Sequence, residues 1–156
     1  MTIASPILID TNLLVLLIVG SLDPALVSTH KNCSSFTPDD YVLLLRCLGP
    51  DPRFVVLPNI VTETSNLLRQ IRDPHRSDLS ALLGRFVEKQ REVYFPSRLA
   101  VGRREYTRLG VTDCAALCTS DADLHLMTVD FDLYMSFLEA GRAVTNFRHV
   151  IDRGAF

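Results

Sequence analysis

Four acidic residues stand where a carboxylate could meet a cation. The apolar run Ile7-Leu8-Ile9 leads directly into Asp10-Thr11-Asn12, so a carboxylate with two polar neighbours falls at the carboxyl end of a buried strand, where open α/β sheets hold their ligands. A second apolar run closes in Thr128-Val129-Asp130-Phe131-Asp132, which sets two more acids at a strand end. Glu63 has apolar neighbours at 60, 61, 67 and 68, the edge of a helix's buried face, where an unpaired carboxylate is costly without a cation or a donor. Asp113 opens Asp113-Cys114-Ala115-Ala116-Leu117-Cys118, a segment made almost wholly of small or apolar residues. Each acid also has a structural reading. Asp10 and Asp130 suit the N-cap of a following helix, and Glu63 and Asp113 suit the positive end of a helix dipole. Capping accounts for one aspartate of the Asp130 and Asp132 pair and leaves the other unexplained.

Carboxylates gathered at one sheet edge repel one another, and Mg²⁺ or Mn²⁺, hard cations that take oxygen ligands, relieve that repulsion. A metal held in this way activates a water and stabilises the charge that develops on phosphorus, so phosphodiester hydrolysis is the chemistry to expect.

The elements that must position these acids are legible as short apolar runs alternating with segments of helical period, the pattern of a parallel sheet covered by helices. Five strands are predicted, over 6–9, 54–57, 93–95, 124–129 and 143–147. Six helices fill the gaps, over 12–19, 39–48, 59–71, 78–91, 113–121 and 131–140. Pro38 marks the start of the second helix, Asn59 would cap the third and Thr112 the fifth, and Gly141 would end the sixth in a left-handed conformation. The Ser-, Thr-, Pro- and Asp-rich stretch 20–38 reads as a loop. The fold class is therefore α/β, with a central parallel sheet of about five strands between layers of helices. The 156 residues, 47% of them hydrophobic, suit one domain over 1–156.

A net charge of −2 gives no overall attraction for nucleic acid, yet 14 of the 16 basic residues are arginine, the side chain suited to bidentate phosphate contacts. Arg103 and Arg104, shortly before Asp113, are the candidates for RNA contact; a plain solvated face is the alternative. The four cysteines form no disulfide framework, Cys114 and Cys118 suit core packing better than a zinc site, and no histidine stands at zinc-site spacing from them. The longest apolar stretch is far shorter than a membrane span, so no membrane segment and a cytoplasmic location are expected.

Taken in order, Ile9-Asp10-Thr11-Asn12, Thr62-Glu63 ahead of Asn66-Leu67-Leu68, Thr112-Asp113-Cys114-Ala115-Ala116 and Thr128-Val129-Asp130-Phe131-Asp132 resemble the acidic motifs of PIN domains. The resemblance implies a parallel sheet flanked by helices, a Mg²⁺ or Mn²⁺ site and endoribonuclease activity on RNA. By matching positions it makes Asp10, Glu63, Asp113 and Asp130 the metal-site and catalytic acids, Asp132 an auxiliary metal-site acid, and Asn12 and Thr128 polar supports. It also implies a toxin role with a cognate antitoxin partner and a homodimer, although the stretch before Glu63 is longer than in the compact toxins. Two other readings compete. One is a catalytically silent module of the same fold that binds RNA or protein, which would be expected to have lost some of these acids. The other is a phosphatase with an aspartyl nucleophile, which Asp130-Phe131-Asp132 fits locally; such enzymes carry that motif on an early strand and need further motifs after it.

Overall fold

In the computed structural model, which describes residues 3–119 and 123–154, five short strands form one parallel sheet: β1 (Ile7–Ile9), β2 (Phe54–Val56), β3 (Arg91–Glu92), β4 (His125–Thr128) and β5 (Val144–Asn146). They lie in the order β3-β2-β1-β4-β5, and every pairing is parallel. The α/β class and the five-strand parallel sheet are as the sequence predicts. The order reverses direction between β1 and β4, which is the switch point where an open sheet leaves a crevice at its carboxyl edge. Ile9 pairs with Met127, so the residues that follow these two strands emerge side by side.

Among the described residues eight α-helices flank the sheet: α1 (Thr11–Leu22), α2 (Pro38–Leu48), α3 (Pro58–Leu68), α4 (His75–Glu88), α5 (Ser97–Val101), α6 (Tyr106–Leu117), α7 (Phe131–Glu139) and α8 (Phe147–Asp152). Contacts of α1 with α2, α3 and α4, and of α6 with α5 and α7, describe two helical groups, as right-handed crossovers on either side of the switch point require. Helix α1 is buried continuously from Leu13 to Gly20, which explains why its sequence is apolar all round instead of along one stripe. Tyr41 of α2 packs so closely on it that a Cβ built on Gly20 would stand 2.3 Å from the ring.

Several boundaries differ from expectation. The sequence places the third strand over 93–95, but the paired residues are Arg91 and Glu92, both exposed, because this is the sheet edge and its register is set by Val55 and Val56. The stretch 20–38 is not a simple loop. Helix α1 runs on to Leu22, and 3-10 turns follow at Pro24–Ser28 and Lys31–Cys33. Side chains fasten this stretch to its neighbours. The His30 ring lies 3.3 Å from the Leu68 carbonyl oxygen, Asn32 Nδ2 donates to the Leu67 carbonyl at 3.0 Å, and Arg148 stacks over Phe36 while donating to Ser35. Asn59 does not cap α3, which starts at Pro58 without a side-chain cap. Thr37 caps α2 in a reciprocal capping box, and Gly141 (φ 68°) follows α7 in the left-handed region as expected. Cys33, Cys47 and Cys114 are buried as free thiols, in line with a packing role.

Gly20→Ala is expected to destabilise the fold even though alanine is the better helix former. The ring contact should outweigh a propensity gain of about 1 kcal/mol, giving a net loss of about 1–2 kcal/mol in urea denaturation. In a Tyr41→Ala background the same change should stabilise, and the sign reversal is the check.

Candidate active site

Asp10 ends β1 and caps α1 in one step. Its Oδ1 accepts from the Leu13 backbone N–H at 3.0 Å, while Oδ2 accepts from the Val129 N–H at 2.9 Å and from the Thr128 hydroxyl. The side chain therefore bridges the carboxyl ends of β1 and β4 and the first turn of α1. It is buried, and burial pushes its carboxyl above the usual range even though three donors pull the other way; the charge of Asp130 adds to the rise. Thr128 Oγ1 in turn accepts from the Asp130 N–H at 2.9 Å, so a single hydroxyl ties the first acid to the last.

Asp130 caps α7, its Oδ1 accepting from the Leu133 N–H at 2.8 Å, and its side chain is exposed. The capping reading is thus realised for both strand-end aspartates. Glu63 lies on α3 and is held from two directions, Thr11 Oγ1 donating to Oε2 at 3.0 Å and Thr112 Oγ1 to Oε1 at 2.6 Å. Thr112 is not a helix cap. Helix α6 breaks at Gly110, whose φ of 83° only glycine adopts readily, and the turn swings Thr112 toward α3. Asp113 comes next, half-buried, and no hydrogen bond to its carboxylate exists among the described residues.

Asp113 shows how near the others are. Burial, then the charges of Asp130, Asp10 and Glu63 in that order, push its carboxyl up to about 7, and no basic side chain offsets them. Three acids from three other chain segments thus act on Asp113 at the switch point. They do not close on a common centre: among the described residues no three acidic, histidine or cysteine side chains stand where they could hold one metal ion. Asp132 does not join them. It is exposed and pairs with Arg108 at 3.4 Å, and Arg108 also donates to Ser136. Asn12 is exposed beside Thr11.

Arg103 and Arg104 lie at the break between α5 and α6, where the single carboxylate of Glu105 pairs with both, at 3.2 and 3.4 Å. With Glu105, Ser136 and Glu139 they line a hollow of about 380 Å³ that includes none of the four acids. A second hollow, of about 370 Å³, does reach the site, with Asn59, Thr62, Glu63, Tyr94, Ser97 and Thr112 on its walls. The sequence reading passes over Tyr94, and it takes Thr112 for a helix cap and Thr11 only as a polar neighbour of Asp10, whereas both grip Glu63. Thr11 and Thr112 each adjoin a candidate acid, a signal that could have found them; Tyr94 sits on no motif.

The chain matches no protein-family model, no curated protein and no solved structure. No helix among the described residues is long and apolar enough to cross a membrane.

The raised Asp113 carboxyl fixes a pH dependence. The folded state keeps a proton that the unfolded state, with an ordinary aspartate near 3.8, releases, so this stabilisation is complete below about pH 4 and is lost as pH rises toward about 7. Without divalent metal, wild-type stability should fall across that window by up to about 4 kcal/mol on the scale of 1.36 kcal/mol per unit. Asp113→Asn should flatten the decline and exceed the wild type at pH 8. Urea denaturation at four pH values in EDTA measures both, and parallel profiles would show that Asp113 carries no such load.

Proposed function

We propose that this chain is a Mg²⁺- or Mn²⁺-dependent endoribonuclease of the PIN-domain type that hydrolyses RNA phosphodiester bonds. The observation that carries the reading is that the charges of Asp10, Glu63 and Asp130 all reach Asp113 at the switch point of a parallel sheet, while within the described residues Asp113 has neither a hydrogen-bond donor nor a nearby cation. All four groups are carboxylates, oxygen donors of the chemical type that a hard divalent cation takes.

The four acids differ in what they can offer. Within the described residues, Asp113, and Asp130 through its Oδ2, keep oxygens that take no hydrogen bond, so these two would hold the ion most directly. Asp10 and Glu63 have both oxygens in hydrogen bonds and would act chiefly through their charge. When bound, the ion would activate a water and stabilise the charge that develops on phosphorus. Thr11 and Thr112 hold Glu63 in one orientation, and Thr128 fixes Asp10 relative to Asp130. The resemblance extends the proposal to a cognate antitoxin, a homodimer and a cytoplasmic setting.

One set of observations favours the silent module instead. Asp10 and Asp130 are helix caps, Glu63 is held by two hydroxyls, and the donors do not converge. Metal binding separates the two readings, because a silent module needs none.

Asp130→Asn is a clean test, since asparagine caps a helix as well as aspartate does while its charge is gone. The variant should melt within a few degrees of the wild type and lose RNA cleavage in Mn²⁺ by two powers of ten or more, about 3 kcal/mol of transition-state stabilisation. Asp10→Asn is less informative, because the amide cannot accept from Leu13, Val129 and Thr128 as the carboxylate does. Calorimetric titration with Mn²⁺ should release heat with the wild type. No heat, or full cleavage by Asp130→Asn, removes the nuclease reading.

A further inference from the structure

Two aromatic rings stand exposed on the carboxyl edge of the sheet on either side of the acids. Tyr94 follows the edge strand β3 and is 72% exposed; Phe131 opens α7 after β4, adjoins Asp130 and is 60% exposed. In strand order β2 and β1, whose ends lead to Glu63 and Asp10, lie between them. Three strand spacings separate β3 from β4, about 14 Å. Resting on the nuclease reading above, we propose that Tyr94 and Phe131 are substrate-binding residues whose rings stack on unpaired nucleobases flanking the phosphate presented to the acids.

The surroundings of each ring favour a nucleotide over an apolar partner. Tyr94 shares its groove with Asn59, Thr62, Ser97 and Thr112, whose amide and hydroxyls suit base edges and a ribose 2′-OH, and its own hydroxyl makes no hydrogen bond within the described residues. Glu63 closes the same groove, so a base resting on Tyr94 brings its sugar and phosphate toward the site. Phe131 leans on Tyr134 at 6.3 Å between ring centroids, and Tyr134 meets His149 edge-on at 5.3 Å, so the exposed ring is braced from behind. Stacking also answers an electrostatic difficulty. The acids repel a phosphate chain, and Arg103, Arg104 and Arg108 are paired with Glu105 and Asp132. A base presents an uncharged face that an aromatic ring holds whatever its sequence.

Fluorescence anisotropy of a labelled single-stranded RNA of about twelve nucleotides, in EDTA so that no cleavage occurs, tests the proposal. A strand of the same length with abasic ribose serves as the second probe. Tyr94→Ala and Phe131→Ala should each weaken binding of the intact strand by roughly five- to one-hundred-fold. Tyr94→Trp, which keeps a stacking face, should bind like the wild type. The abasic strand should bind weakly and equally to all four proteins. Unchanged affinity in both alanine variants, or an equal loss with the abasic strand, overturns the proposal. Its failure is distinguishable from failure of the nuclease reading. Ring-dependent binding without any cleavage in Mn²⁺ would remove the enzyme and keep the rings, whereas cleavage by both alanine variants at wild-type kcat/KM would do the reverse.

Discussion

The carboxylate of Asp10 is buried at the point where β1 ends, and the arrangement around it depends on what makes that charge tolerable. An isolated carboxylate in such a place would take up a proton. Here three donors offset part of that burial, one N–H from the first turn of α1, one N–H from the segment after β4, and the Thr128 hydroxyl, although the carboxyl stays above its usual range. The same three bonds set the relative position of two strand ends and a helix start. Parallel pairing of Ile9 with Met127 brings the ends together, and the shared carboxylate keeps them so. Satisfying one buried charge therefore also defines the floor of the crevice.

The remaining acids show how a fold distributes like charges it cannot neutralise with arginine. Asp10 and Asp130 each sit at the positive end of a helix, where the dipole and unpaired N–H groups favour a negative charge. Glu63 has two hydroxyl donors. Those accommodations stop at Asp113, which is partly buried in the small-residue turn after Gly110 and takes the repulsion of the other three. The cost of assembling the group thus shows at Asp10 as well as at Asp113, and Asp113, which has no donors to offset it within the described residues, is where a divalent cation would relieve the most repulsion.

Much of this was legible in the sequence because the signals were local. Ile7-Leu8-Ile9 before Asp10, and Leu126-Met127-Thr128 shortly before Asp130, are short apolar runs of the kind that buried parallel strands make, and acids at their ends emerge at the carboxyl edge. The misses have a common physical origin, since each depends on contacts distant in the chain. Arg91 and Glu92 are a strand only because β2 offers an edge, against their own polarity. The stretch 20–38 is polar enough to read as a loop, yet Leu26, Val27, His30, Cys33 and Phe36 are buried in it, and its fastenings lie on α3 and α8. Thr112 looked like a cap because an acid and a helix follow it; its hydroxyl instead meets Glu63, which is 49 residues away in sequence. Residues 120 and 121 of the expected fifth helix lie outside the described residues.

The pairing of Arg103, Arg104 and Arg108 decides how a polyanion could approach. An arginine already held by a carboxylate must give up that partner to bind a phosphate, so its net gain is smaller than that of an unpaired side chain. Glu105 is held by two of these arginines; against the opposing effect of burial, its own backbone N–H and then the two guanidinium groups draw its carboxyl below the usual range. No basic side chain is among the charges acting on Asp113. A bound cation and uncharged surface could then supply attraction for a nucleic acid that these three arginines supply less readily. Uncharged surface beside the acids includes the hydroxyls of the groove that Tyr94 shares with Glu63, and the ring of Phe131, which adjoins Asp130.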